Sequence, residues 1–318
     1  MIQAHDPRAE AQSLLGDGYL AHVLEPSPPP VGAPDFADDP AVPVDRTRPT
    51  VTPTTAGTTT WDDLARADTA IAHFARARWL GAWAPLREPP AGLVAAREDL
   101  HRVAYSLVAE ARRVSTGKFG LRFTRGGFGT PFFDDDRQVR VEDGRLVLQS
   151  AGAVASTELT TLNAAAAHLD LAPGTDAAEH DSPDQGDLDR PLAITPEGAD
   201  FVADWFGFAT SVLEEMRLTG GALDVSRVQL WPGHFDVAIE IGDGDSGRRA
   251  TYGASPGDTA HDAPYLYIAP WASVPDDAFW DSNAFTGAEL GYADILDADD
   301  QRGRALGFFR EGHRILTD

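Results

Sequence analysis

The chain has 318 residues, with 26 basic and 50 acidic side chains, a formal net charge of −24 and no cysteine. That composition excludes disulfides, thiolate metal sites, iron–sulfur clusters and a cysteine nucleophile, and it argues against binding a phosphate backbone. Hydrophobic residues at 42% and charged residues at 24% describe a folded globular chain, and no run approaches the roughly 18 apolar residues of a membrane span.

In chain order, residues 8–23 read as a short helix and turn. Residues 25–59 are rich in Pro and Thr, which suits an extended arm, because proline lacks an N–H and restricts its neighbour. Thr60 with Asp63 three residues on reads as the cap of a helix that fades near Trp79–Trp83. A second helix is predicted from Gly92 to Ser115, with Leu100, Val103, Ala104, Leu107, Val108 and Ala111 forming one apolar face.

From Lys118 the period changes to two. Phe119, Leu121 and Phe123 alternate with polar partners as in a half-buried strand, which Gly126, Gly127 and Gly129 then break. QVRVEDGRLVLQ is a hairpin with Asp143-Gly144 as its turn. Residues 160–169 form an Ala-rich helix, and the acidic stretch 172–190 marks a boundary. Thr195-Pro196 opens a long helix as N-cap and first residue. Strands follow at 226–231, 235–241, 248–253 and 264–269. Residues 272–300 look irregular, and 301–313 forms a last helix.

Strands joined by short turns favour antiparallel sheets over βαβ units. The expected class is therefore α+β: largely antiparallel sheet flanked by two long helices, with a Pro-rich N-terminal arm and two similar α+β halves. The segments divide as 1–59, 60–171, 172–190 and 191–318, with 60–318 as the single-domain alternative.

Three sets of residues are candidate sites. Between 91 and 150, ten basic residues outnumber eight acidic ones, against the trend of the chain. Lys118, the only lysine, projects with Arg122 from one strand face, and Arg125 stands at a glycine turn whose N–H groups can hold an anion. This is no P-loop, because Arg112 and Phe119 occupy positions that need Gly and Ser or Thr. His234 and Asp236 lie two apart on a predicted strand, so they share a face and could act as a base with its orienting acid. His261 could join them from the loop after the next strand. The aromatic set Trp231, Tyr252, Tyr265, Tyr267 and Trp271 could line a pocket.

Two further patterns fail on their chemistry. Gly253-Ala254-Ser255-Pro256-Gly257 matches a nucleophile elbow, but Pro256 lacks the N–H that the oxyanion hole requires. Asp297–Arg302 begins like a calcium loop but lacks the glycine at its sixth position and the glutamate at its twelfth.

The strings VQLWPGHFDVAIEI, RATYGASPGD and APYLYIAPW resemble a group of actinobacterial proteins of unknown function. The layout is also similar to a broader bacterial family with a W-P/G-x-F-D-L-A strand, a Y-x-Y-x-x-P strand and a C-terminal helix. The resemblance implies that 228–271 is the defining unit, and it carries no activity.

The leading expectation is binding of a small or anionic ligand between the basic strand 118–127 and the 228–271 meander. The alternatives are a hydrolase or isomerase using His234 and Asp236, and an interaction module using the N-terminal arm. No cofactor, metal, nucleic acid or membrane is expected, and the state is monomer or homodimer. MIQAHDPRAEAQ lacks the basic-then-apolar pattern of a secretory signal, so the cytoplasm is the expected compartment.

Overall fold

The structure, a computed structural model, describes residues 86–318 except 125, 132, 135–136, 151–152, 175–182, 218–225, 227 and 275. The expectations for the 8–23 helix, the 25–59 arm, the helix capped by Thr60 and the side chain of Arg125 lie outside these residues.

Two five-stranded antiparallel sheets carry the fold. The first holds β1 (Arg122–Thr124), β2 (Gly127–Gly129), β3 (Gln138–Glu142), β4 (Arg145–Ser150) and β5 (Ala153–Glu158) in that spatial order. The second holds β6 (Gln229–Trp231), β7 (Asp236–Ile241), β8 (Ala250–Ser255), β9 (Tyr265–Pro270) and β10 (Ala288–Gly291), also in chain order. Helix α1 (Leu93–Val103) continues through a π-helical stretch (Ala104–Ala109) into α2 (Glu110–Thr116) before β1, and α3 (Leu162–Leu169) follows β5. The second half repeats this order. Helix α4 (Pro196–Arg217) precedes β6, and α5 (Tyr292–Leu296) and α6 (Gln301–Thr317) follow β10. The α+β class and the similar order of elements in the two halves are thus seen directly.

The sheets meet edge to edge. Leu121 and Leu230 exchange two backbone hydrogen bonds of 2.9 Å, joining the β1 edge to the β6 edge. Helix α4 packs across this seam, touching β1 and β2 on one side and β7 and β8 on the other, together with α1 and α6. Its buried stripe, Phe201, Trp205, Phe208, Ala209, Val212, Leu213 and Met216, belongs to one apolar core drawn from both halves.

The center of that core is a ring cluster around Phe235. Its ring lies 5.1 Å from Phe206 on α4, 5.2 Å from Phe128 on β2 and 5.2 Å from His101 on α1. Phe235 sits at φ 55, a left-handed conformation that costs a non-glycine residue roughly 1–2 kcal/mol. The aromatic contacts, at about 0.5–1.5 kcal/mol each, offset that strain.

Two elements differ from the sequence reading. The glycines at 127 and 129 do not end the sheet; they form β2, between β1 and β3. A Cβ at Gly127 would lie 2.1 Å from the Val141 carbonyl oxygen, so these glycines mark close strand approach. The segment 272–300 is not wholly irregular, since it contains β10 and α5. The Asp143-Gly144 hairpin is as expected, with positive φ at both positions (52 and 71). Among the described residues no helix is long and apolar enough to cross a membrane.

Candidate functional site

The seam between the sheets brings the basic strand against the start of the 228–271 meander. Residue 118 leaves the end of α2, where Gly117 at φ 72 turns the chain, and Arg122 opens β1. Leu121 then bonds to Leu230, which places Val228 and Gln229 alongside. Lys118 and Arg122 line a crevice of about 10 Å³ together with Arg112, Leu121, Pro131, Val228 and Gln229. Arg112 and Arg122 are buried, and Arg112 Nη1 donates to the Gly120 carbonyl at 2.6 Å. The absence of a side chain at Gly120 makes room for Gln229, whose amide nitrogen lies 1.8 Å from where a Cβ would stand. Three cationic side chains therefore face one crevice in a chain of net charge −24. Arg112 and Gln229 were missed by sequence reasoning. Arg112 falls on a helix apart from the strand pattern, and Gln229 reaches the crevice only through the pairing of the two sheets.

The polar face of the second sheet holds a separate hydrogen-bonded chain. Tyr265 donates to Asp258 Oδ2 at 2.7 Å. His261 Nδ1 lies 3.0 Å from Asp258 Oδ1, and its Nε2 lies 3.4 Å from Glu289 Oε2. Ser282 donates to Glu289 Oε1 at 2.9 Å. Tyr267 donates to the buried carboxylate of Asp236. Burial disfavours the charge of Asp258, but the bonds from Tyr265, His261 and the Ala260 N–H outweigh it and hold its pKa below the usual value. Burial first, and then the Asp258 and Asp236 carboxylates, push the Tyr265 and Tyr267 hydroxyls up, so both remain neutral donors. The loop carrying His261 is clamped to α1 by the buried Arg97, whose guanidinium donates to the carbonyls of His261 at 2.9 Å and Asp258 at 3.1 Å. Arg97 and Glu289 were also invisible at the level of sequence, lying 164 and 28 residues from His261.

The remaining predicted residues disperse. His234 is exposed in the turn before β7, whereas Asp236 is buried on the strand. The left-handed Phe235 between them breaks the strand alternation on which a shared face depends. Tyr252 is fully buried on the helix side of the sheet, its hydroxyl 3.1 Å from His313 Nδ1. Its register partners place it on the face opposite Tyr265 and Tyr267. Trp231 pairs with Asp236 across β6 and β7 and is half-buried. Trp271 donates to Thr251 Oγ1 and lies under the Arg249 guanidinium at 4.7 Å. Ser255 is buried and bonds to Gly257, as befits a turn.

A second hollow, about 510 Å³ and open, lies at the start of α1 beside Pro89, Pro90, Leu93 and Val94, with Glu98 and Asp262 among its lining. Its apolar and acidic lining does not suit an anionic cofactor. Among the described residues no three His, Asp or Glu side chains are placed to hold a metal ion. No protein-family profile, no curated protein and no solved structure matches this sequence.

Proposed function

We propose that this protein binds a small anion, or the anionic end of a small molecule, in the seam crevice. The observation that supports this reading is the convergence of Arg112, Lys118 and Arg122 there. A volume of about 10 Å³ is that of one water-sized group, so a single carboxylate or phosphate oxygen enters and the rest of the ligand stays outside. Two buried guanidiniums suit a planar or tetrahedral oxyanion, since arginine presents its donors as a fixed fork. The local excess of positive charge attracts such a group to an otherwise anion-repelling surface.

Inorganic phosphate and acetate are suitable probes. In excess over its dissociation constant, a ligand that binds only the native state raises stability by about 2.7 kcal/mol at a hundred-fold excess. Thermal unfolding in phosphate, against chloride of equal ionic strength, is expected to show an upward shift. Lys118→Met, at the half-buried rim, is expected to remove most of that shift while leaving the unliganded midpoint nearly unchanged. Equal shifts in the wild type and Lys118→Met would refute this site.

A further inference from the structure

The two outer edges of the ten-strand array are treated differently. At the β10 edge, Ala288 and Leu290 are buried, and the flanking segment is tied back by the Ser282 N–H to the Gly287 carbonyl. At the β5 edge nothing comparable happens among the described residues. Five of the six β5 residues are exposed, and the sixth, Thr157, is half-buried. Exposure on successive residues means that both faces of the strand are open. Among the described residues no other strand pairs with β5 beyond β4, so a full row of backbone donors and acceptors points outward.

Natural edges of this kind are normally blunted by lysine, proline, a bulge or a covering element. β5 reads Ala-Val-Ala-Ser-Thr-Glu and has no lysine and no proline. Its only charge, Glu158, lies at one end. Val154, 53% exposed, is one of two large hydrophobic side chains left open among the described residues.

We propose that the β5 edge pairs antiparallel with the β5 edge of a second copy of this chain, joining two molecules into one continuous sheet. The strand is self-complementary about a local two-fold axis at Ala155. Ala155 then faces Ala155 of the second copy, Val154 faces Ser156, and Ala153 faces Thr157, each pair on one face of the sheet, with Glu158 beyond this span, so no like charges oppose. Small side chains on both faces let the two backbones approach to the normal strand spacing without a clash. A strand this short buries a small interface, so the dimer is weak and depends on concentration. The net charge of −24 on each copy also makes it salt-sensitive, with screening favouring association.

The test is mass in solution by light scattering at physiological salt, across about a hundred-fold range of concentration. The expected wild-type result is a rise from 34.0 kDa toward twice that value. The double variant Ala155→Asp with Ser156→Asp places like charges opposite one another at the two-fold axis and adds a further charge beside it, both at exposed positions. It is expected to keep its circular dichroism spectrum and remain at the monomer mass. A second double variant, Ala155→Lys with Ser156→Lys, is also expected to be monomeric, and an equimolar mixture of the two is expected to regain the dimer mass. A wild type that stays monomeric throughout overturns the proposal and leaves the edge to an extended segment of another protein. A dimer that persists in both double variants overturns it as well, because association then uses another surface.

Discussion

His101 presses its ring flat on Phe235, 8° from parallel, and its Nε2 faces the carbonyls of Pro232 at 2.8 Å and Gly233 at 3.1 Å. In the neutral ring that nitrogen can donate to both. Burial dominates its titration and lowers its pKa from 6.5 to about 4. The folded chain therefore resists a proton that the unfolded chain accepts readily. As pH falls below 6.5 the unfolded state gains that proton first, and stability declines until pH about 4, where the folded state takes it up too. A shift of this size corresponds to a loss on the order of 3 kcal/mol across the window. Urea midpoints measured through that range are expected to fall in the wild type and to flatten in His101→Gln. The carboxylates contribute at lower pH. Asp99 is opposed by burial but held charged by Arg190, the Ala193 N–H and Arg102, so its pKa is depressed. Its contribution is complete above the ordinary carboxylate value of 3.8 and is lost only as pH falls through the lower folded value.

The strands of the second sheet show how register builds a polar face. Ala238, Gly253, Tyr267 and Glu289 stand in one row across β7, β8, β9 and β10. Because Gly253 has no side chain, the Tyr267 ring lies across β8 and reaches Asp236 on β7. A Cβ at Gly253 would stand 2.2 Å from that ring. Gly253→Ala is therefore expected to cost about 1–3 kcal/mol and to release the Tyr267–Asp236 bond. Chemical denaturation measures the first effect and near-ultraviolet circular dichroism the second; an unchanged aromatic spectrum would speak against the crossing. Much of this sheet was legible in sequence, since Val237, Ile239 and Ile241 alternate cleanly and the long helix announces itself at Thr195-Pro196. β5 and β10 were not. Ala-Val-Ala-Ser-Thr-Glu has no alternation because neither of its faces is buried, and Ala288–Gly291 is too short to show a period. The Lys118–Arg122 pair was visible as a local reversal of charge. Its partners Arg112 and Gln229 arrive through tertiary pairing, which no local pattern encodes.

The whole molecule repeats one order of elements twice but keeps one interior. Phe235 from the second half is surrounded by Phe128 and His101 from the first. The connecting segment is anchored to the first half by Asp99, which accepts from Arg190 Nη2 at 2.5 Å and from the Ala193 N–H at 2.6 Å. Neither half can then close its own core. A fragment of residues 191–318 is expected to lack a cooperative thermal transition and to give collapsed amide proton shifts, whereas the full chain unfolds in one step. A fragment with dispersed shifts and a sharp melt would show that the shared center is dispensable.

Within each sheet, neighbouring strands are stitched along their length, whereas among the described residues one backbone bridge, between Leu121 and Leu230, joins the edge strands of the two sheets. The joint between the sheets is narrow, and α4, laid across it, carries the packing that holds the two sheets together. The crevice lined by Lys118 and Arg122 opens at this joint, between the inner edges of the two sheets, while β5 and β10 form the outer ends of the strand order.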